Sequence, residues 1–239
     1  MKIVVCNDYS EMSERAAEMI LRQVRRKKKS VLGLATGSTP IGMYDAIARA
    51  GADFSGVESV NLDEYVGLPA EHDQSYAYFM REHLFNRINI DFARTHVPCG
   101  TAADVEKECR EYDALLNRLG RIDIQVLGLG HNGHIGFNEP SDCFEKNTHV
   151  VALDESTISA NSRFFASSDE VPRRAITMGI QPIMCARNVL VLVSGESKAE
   201  IVKRAFTGPI TPRVPASVLQ LHHSVTIMGD REALKLLNL

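Results

Sequence analysis

The residues best suited to chemistry lie in a glycine-rich segment near the middle of the chain. It reads Gly128-Leu129-Gly130-His131-Asn132-Gly133-His134-Ile135-Gly136-Phe137-Asn138-Glu139-Pro140. Glycine permits an irregular backbone that can turn several side chains toward one space. A carboxylate this close in sequence can hold an imidazole in one tautomer, so we expect Glu139 to orient His134. An imidazole held in this way transfers protons well near neutral pH.

Two other interpretations of this segment stay open from the sequence alone. In the first, His131, His134 and Glu139 bind a metal ion, although the H-x-x-H spacing is a loose signature without further cysteines or histidines. In the second, the segment is only a glycine-rich turn with surface histidines.

A pair of carboxylates follows a different apolar run. Asp63 and Glu64 come directly after residues 59–62. One carboxylate in this place would serve as a base that removes a proton from carbon, provided that partial burial keeps its pKa near the working range. The alternative is that one carboxylate belongs to a turn or helix cap while the other is solvated.

Two further segments have the composition of phosphate-binding turns. In Thr36-Gly37-Ser38-Thr39-Pro40, the glycine lets the backbone approach a ligand, and Ser38 or Thr39 can cap the helix that follows. The N–H groups at the start of that helix would then face an anion. Lys198 lies in the first turn of another predicted helix, where a cation opposes the dipole unless an anion is present. A capped turn without a ligand is the alternative, and the spacing is not that of a Walker A loop.

The elements that must position these residues alternate between strand and helix. Apolar, β-branched runs are followed by stretches with helical spacing. The predicted strands are residues 2–5, 31–35, 59–62, 124–129, 189–193 and 224–228. The predicted helices are residues 10–26, 39–50, 75–85, 104–119, 197–206 and 231–237.

This alternation predicts one α/β domain over residues 1–239, an open parallel sheet with helices on both faces and a Rossmann-like architecture. Ligands bind such sheets at the carboxyl ends of the strands, and the clusters described above all follow predicted strands. The polar, serine-rich segment 154–172 is predicted to be a lid. It carries Arg163, whose alternative interpretation is an ordinary surface arginine.

The composition excludes several classes of protein. Hydrophobic residues make up 44% of the 239 residues, which is enough for a sizeable core. Lys and Arg number 27 against 30 Asp and Glu, and Trp is absent, so we expect no binding to nucleic acid or to an anionic membrane. The apolar runs are too short to cross a bilayer and no leader is visible, so the predicted location is cytoplasmic. Five cysteines without a C-x-x-C pair favour a reducing compartment over a disulfide frame or zinc site.

Taken together, the motifs resemble those of the glucosamine-6-phosphate deaminase family. Their order and spacing match over essentially the whole chain, and the residues that carry the resemblance are 34–40, 61–68, 130–140 and 161–165. The first of these segments is shared with 6-phosphogluconolactonases and with sugar-sensing regulator domains, whereas the last two are specific to the deaminases.

The resemblance implies a reversible reaction in amino-sugar catabolism, in which glucosamine 6-phosphate and water give fructose 6-phosphate and ammonia. It implies that Asp63 moves a proton between C2 and C1. His134 would move the ring-oxygen proton, with Glu139 as its carboxylate partner and Asn132 beside it. The phosphate would be held by Gly37, Ser38, Thr39, Arg163 and Lys198.

The reaction transfers no hydride and needs no cofactor to stabilise a carbanion, so no organic cofactor is implied. No metal is expected either. The expected partner is the phosphosugar substrate, with no nucleic acid and no membrane. A monomer and a homo-oligomer both stay open.

Two departures from the family pattern matter. Some relatives carry aspartate where this chain has Asn132, and an amide cannot stabilise an imidazolium by charge, so we expect Glu139 to supply that help. The long, allosterically regulated relatives have a longer tail and basic residues after the Glu-Pro dipeptide, whereas residues 141–150 here read SDCFEKNTHV. We therefore expect little or no activation by N-acetylglucosamine 6-phosphate.

Two rival functions are distinguishable in principle. A lactonase acting on a phosphorylated sugar acid would share the phosphate turn, the fold and a catalytic histidine, but would have no evident need for Asp63 as a carbon base. A non-catalytic phosphosugar sensor would usually accompany a DNA-binding segment, for which this chain has no room.

Overall fold

A seven-stranded parallel sheet forms the centre of the computed structural model, which describes residues 1–162, 165, 167 and 170–237. In their order across the sheet, the strands are β1 (Lys2–Cys6), β10 (Val225–Asp230), β9 (Val189–Val193), β6 (Ile124–Leu127), β2 (Val31–Leu34), β3 (Glu58–Asn61) and β5 (Thr95–His96). The three central strands β9, β6 and β2 are buried at every position, as expected where layers cover both faces of a parallel sheet. The predicted α/β class is confirmed.

Helices connect these strands. They are α1 (Tyr9–Arg26), α2 (Ile41–Arg49), α3 (Tyr76–His83), α4 (Val105–Leu119), α5 (Glu155–Asn161), α6 (Ile180–Cys185), α7 (Ala199–Thr207) and α8 (Arg231–Leu234). α1 shows why they form: the Asp8 side chain caps it by accepting the Glu11 N–H at 2.8 Å, and a regular apolar stripe is buried against the sheet. Among the described residues, no helix has the length and apolar character needed to span a membrane.

A second sheet was not predicted. It has three antiparallel strands in the order β4 (Asp63–Tyr65), β8 (Arg174–Thr177) and β7 (His149–Ala152). A small apolar cluster of its own packs against it, consisting of Tyr65, Phe137, Leu153, Ile158, Val171 and Ala175. The consequence for the site is that Asp63 is held in a strand ladder and not in a loop.

Three predicted boundaries next to the site are wrong by a few residues. The strand expected over 124–129 ends at Leu127, because the glycines that follow leave the ladder. The helix expected over 39–50 begins at Ile41, after Pro40. The helix expected over 197–206 begins at Ala199, because residues Glu196–Lys198 form a separate 3-10 turn and place Lys198 at the N-cap position.

Candidate active site

The predicted site residues that the structure describes meet at one edge of the parallel sheet. Strands β9, β6, β2 and β3 are neighbours in the sheet, so their carboxyl ends lie side by side. A cavity of about 480 Å³ opens there. It is lined by residues from all four strand ends, among them Gly37, Ser38, Thr39, Asp63, Asn132, His134 and Lys198.

Asp63 lies on the wall of this cavity and is only 5% exposed. Burial, reinforced by the negative charge of Glu64, raises the pKa of its carboxyl well above the usual 3.8, and a hydrogen bond from the Phe137 N–H opposes the shift. Gly136 makes room for it: this residue has φ +58°, and a Cβ there would lie 3.2 Å from Asp63 Oδ2. The buried carboxylate has the properties of a base whose proton affinity is raised.

His134 and Glu139 form the predicted imidazole–carboxylate pair, with 3.4 Å between Nδ1 and Oε2. Glu139 lies behind the ring and is not among the residues that line the cavity. The imidazole packs directly against Gly130, where a Cβ would lie 2.4 Å from ring atoms. Because any side chain at this position would displace the ring, the glycine is required by the packing of His134.

Asn132 forms hydrogen bonds with both residues of this pair. Its amide Nδ2 donates to Glu139 Oε2 at 2.6 Å, and its Oδ1 accepts the backbone N–H of His134 at 3.1 Å. Burial alone would raise the pKa of Glu139, but hydrogen bonding from His134, the charge of His134 and hydrogen bonds from Thr157 and Asn132 together lower it below its usual 4.5. Glu139 is therefore the negative group behind the imidazole.

Helix α5 supplies residues that the sequence analysis did not identify. Thr157 is buried, and its hydroxyl lies 3.5 Å from His134 Nδ1. At the N-cap of the same helix, the Asp154 N–H points at Glu139 Oε1 from 3.4 Å. Ser156, Ser159 and Asn161 also line the cavity. The only sequence signal for these residues was their place in the polar segment predicted to be a lid.

The turn after β2, which was predicted to bind phosphate, lies at the cavity, with one correction. Gly37 has φ +95°, which glycine adopts readily, and it brings the backbone to the cavity. Neither Ser38 nor Thr39 caps α2: Pro40 occupies the N-cap position, and no side chain makes a capping hydrogen bond. The hydroxyl-bearing residues therefore line the cavity instead of closing the helix.

Of the two predicted cations, one lies at the cavity. The Lys198 ammonium donates to the Leu129 carbonyl oxygen at 2.7 Å, which brings it to the exit of β6. Arg163 lies outside the described residues.

Glu64 has a different role from its neighbour. It is buried and accepts the backbone N–H groups of Tyr65, Tyr76 and Ala77, so it closes the start of a helix, as the alternative interpretation of the pair allowed. The other half of that interpretation is wrong, because neither carboxylate is solvated. Tyr76, which the sequence analysis missed, lines the cavity with its ring stacked on Phe137 at a centroid distance of 5.7 Å. A tyrosine at the start of a predicted helix gives no indication, from the sequence alone, that its ring lines a cavity.

The metal-binding interpretation of the glycine-rich segment is not supported. Over the part of the chain that the structure describes, no group of three or more His, Cys, Asp or Glu side chains is arranged to hold a metal ion. His131, His134 and Glu139 are all described and do not form such a group.

Comparison with known proteins places the chain in a family. The family described as "Glucosamine-6-phosphate isomerases/6-phosphogluconolactonase" matches residues 8–228. A protein of Lachnoclostridium phytofermentans named glucosamine-6-phosphate deaminase is 56% identical over 232 residues, covering 95% of this chain and 98% of the relative. A protein of the same name from Thermoanaerobacter sp. is 52% identical over 241 residues, covering 99% and 95%.

Solved structures agree with this placement. One described as a monomeric glucosamine-6-phosphate deaminase superposes with a TM-score of 0.97 at 46% identity, covering 99% of this chain and 100% of that one. A 6-phosphogluconolactonase from Trypanosoma brucei shares the fold, with a TM-score of 0.79 at 21% identity and coverage of 99% and 98%. The resemblance noted from the motifs is thereby confirmed, and the chain belongs to the glucosamine-6-phosphate isomerase/6-phosphogluconolactonase family.

Proposed function

We propose that this protein converts glucosamine 6-phosphate and water to fructose 6-phosphate and ammonia by acid–base catalysis, in amino-sugar catabolism. One observation carries the proposal: the buried Asp63 and the His134–Glu139 pair lie at the same cavity, beside a glycine–hydroxyl turn suited to phosphate. The relatives that are more than half identical bear the name of this activity.

The phosphate end of the substrate is the anchor. Gly37, Ser38 and Thr39 offer backbone N–H and hydroxyl donors, and Lys198 offers a positive charge from the neighbouring side of the cavity. We assign Arg163 to the same role as a further cation. Because the phosphate is remote from C1 and C2, its binding free energy can position the reacting carbons without taking part in the reaction.

Asp63 is the group that moves the carbon-bound proton. The hydrogen on C2 of an open-chain aldose is acidified by the neighbouring carbonyl, so a positioned carboxylate can remove it and return it to the adjacent C1. Transfer between adjacent carbons needs only one base, and it leaves an imine at C2, which water hydrolyses to the ketone with release of ammonia. A general-base contact of this kind contributes about 10²–10⁴-fold to the rate.

His134 is assigned to ring opening. The sugar must open before C2 becomes acidic, and this requires a proton to move to the ring oxygen. The carboxylate of Glu139 stabilises the imidazolium form and orients the ring through Nδ1, while Asn132 fixes that carboxylate and the backbone at His134. Nε2 is then the nitrogen left to face the sugar.

The test is an ammonia-release assay with glucosamine 6-phosphate, with Asp63→Asn as the control. The expected result is ammonia from the wild type and a large loss in the variant. A second measurement separates this activity from a lactonase: the wild type should exchange deuterium into C1 of fructose 6-phosphate, which lactone hydrolysis does not require. Absence of both ammonia release and C1 exchange would refute the proposal.

We further propose that the phosphosugar is the partner of this chain, that it acts in the cytoplasm as a single domain over residues 1–239, and that segment 154–172 serves as the lid. The cysteines Cys6, Cys99, Cys109, Cys143 and Cys185 are all free thiols, which is consistent with a reducing compartment. A monomer and a homo-oligomer are both compatible with this proposal, and a relative of known structure is described as monomeric.

A further inference from the structure

Glu64 is a buried carboxylate next to the proposed base, and the proposed reaction does not use it. It is 2% exposed and follows Asp63 directly on β4. Successive side chains on a strand point to opposite faces, and only Asp63 lines the cavity, so Glu64 lies behind the strand. Burying a carboxylate is unfavourable unless it is well hydrogen-bonded, so its place calls for a physical reason.

The hydrogen bonds of Glu64 join β4 to helix α3. Its Oε1 accepts the N–H of Tyr65 at 2.8 Å and that of Tyr76 at 3.0 Å, and its Oε2 accepts the N–H of Ala77 at 2.9 Å. Tyr76 and Ala77 are the first two residues of α3, whose N–H groups have no partner within the helix. Burial raises the pKa of Glu64 above its usual 4.5, while the three N–H donors and the positive end of the helix dipole oppose this shift and favour the charged form.

This attachment determines where the ring of Tyr76 stands. The ring lines the cavity and is stacked on Phe137, with an angle of 15° between the two planes. Its hydroxyl lies 3.4 Å from that of Tyr65, which in turn accepts the Asn161 amide at 2.9 Å. A shift of the start of α3 relative to β4 would therefore move one wall of the cavity.

Glu64 also contributes an electric field at Asp63. Three phenols also interact with Asp63, those of Tyr65, Tyr76 and Tyr112. Burial raises the pKa of each, to about 12 for Tyr65, so all three are neutral near pH 7. Arg81 on α3 carries a positive charge that interacts with Glu64. The negative charge of Glu64 consequently makes it harder for Asp63 to lose its proton.

We propose that Glu64 is a positioning residue with two effects on the proposed reaction: it fixes Tyr76 in the cavity wall by anchoring α3, and its negative charge strengthens Asp63 as a base. This inference rests on the proposed function, since a base is relevant only if a carbon-bound proton is moved. A carboxylate with a merely structural role would have the first effect without the second.

The charge effect is tested with Glu64→Gln, which keeps the length of the side chain and removes its charge. With the charge gone, Asp63 loses its proton more readily, so the acid limb of kcat/KM should move to lower pH by about one unit. Asp63 is then also a weaker base, and the plateau of kcat should fall by about three- to tenfold. An acid limb that stays at the wild-type pH in the folded variant would overturn the proposed charge effect.

The anchoring effect is tested with Glu64→Asp, which keeps the charge but is too short to reach the start of α3. The acid limb should stay near its wild-type pH, while KM rises and the amide hydrogens of Tyr76 and Ala77 exchange faster with deuterium. Wild-type KM together with wild-type exchange at these two amides would overturn the anchoring effect, and this arm tests that effect even if Glu64→Gln fails to fold.

A matched control is Glu71→Gln, because Glu71 is an exposed glutamate in the same connection between β4 and α3. It should leave the pH profile, KM and amide exchange unchanged. The amide-exchange measurement needs no turnover. If the wild type released no ammonia, the proposed function would fail, whereas wild-type turnover without the Glu64 effects would refute this inference alone.

Discussion

Asp63 combines two properties that oppose each other. As a base it must be ionised when substrate arrives, yet it is buried beside a second carboxylate, and both conditions favour the protonated form. Burial of the Asp63 carboxylate thus raises its affinity for a proton but lowers the free energy of unfolding of the protein. The neighbours of His134, in contrast, do not oppose one another: Glu139, Asn132 and Gly130 all support one position of its ring.

The variant Asp63→Asn should be more stable than the wild type and nearly inactive. The pKa of Asp63 is higher in the folded chain than its usual 3.8, so stability is lost as the pH rises through the folded-state value, and the amide escapes this loss. Near neutral pH we expect the melting temperature to rise by about 2–4 °C for each kcal/mol that the substitution adds to the free energy of unfolding. Turnover should fall by about 10²–10⁴-fold.

The check is thermal unfolding as a function of pH, together with the ammonia assay. The difference in melting temperature should disappear below pH 3.8, where the carboxyl is protonated in both the folded and the unfolded chain. A variant that is less stable than the wild type near neutral pH would contradict this account of Asp63.

The variant Glu139→Gln should slow ring opening. Neutralising the group behind His134 removes the charge that stabilises the imidazolium, and we expect turnover to fall by about 10–100-fold. Glu145→Gln provides a control, because Glu145 is an exposed glutamate a short distance along the chain. The measurement is the rate of turnover together with the rate of ring opening, and near-wild-type values for Glu139→Gln would remove Glu139 from the relay.

At the scale of elements, the sequence predicts the buried parallel strands well and the small sheet not at all. Strand β9 has the predicted bounds because five consecutive apolar residues leave no alternative. Strands β4, β7 and β8 are three or four residues long, and β7 is half-buried, so no apolar run or clean alternation marks them. Their pairing also joins residues far apart in the chain, which local periodicity cannot detect.

The site residues likewise divide into those that the sequence predicts and those that it does not. Residues that directly follow predicted strands were identified, because a parallel sheet brings its carboxyl ends together. Tyr76 and Thr157 were missed because they reach the cavity from helices α3 and α5, whose placement depends on tertiary contacts such as those of Glu64. The caps assigned to Ser38 and Thr39 were wrong because Pro40 takes the N-cap position.

Helix α5 should influence proton transfer through Thr157. Replacing Thr157 with Val keeps the shape and removes the hydroxyl next to His134 and Glu139. A hydrogen bond of this kind contributes about 0.5–1.5 kcal/mol, so we expect kcat to fall by about two- to tenfold with a smaller change in KM. Steady-state kinetics checks this against Glu155→Gln, an exposed position on the same helix. A kcat equal to that of the wild type would show that the hydroxyl does not act on the pair.

At the scale of the whole molecule, one cavity collects residues from distant parts of the chain. Four segments reach it: the turn after β2, Asp63 beyond the end of β3, the glycine-rich segment after β6 and Lys198 after β9. They come together because β3, β2, β6 and β9 are parallel neighbours in the sheet. The proposed catalytic and binding groups therefore depend on the sheet as a whole and not on any one loop.

Substrate saturation should be hyperbolic with or without N-acetylglucosamine 6-phosphate. The segment after Pro140 carries Asp142, Glu145 and a single lysine, Lys146, so it lacks a cluster of positive charge that would bind a second phosphate. Initial rates over a range of substrate concentrations, with and without this compound, check the expectation. A marked change from sigmoidal to hyperbolic kinetics on its addition would contradict it.

The attachment of α5 to the relay has a consequence for engineering. This helix bears Thr157 beside His134, its N-cap residue Asp154 points a backbone N–H at Glu139, and its last residue, Asn161, binds the hydroxyl of Tyr65. Exchanging this segment for that of a relative would therefore replace part of the proposed proton-transfer apparatus together with residues that line the cavity. Chimaeras made to alter substrate access should show changed acid–base behaviour even when every residue at the strand ends is retained.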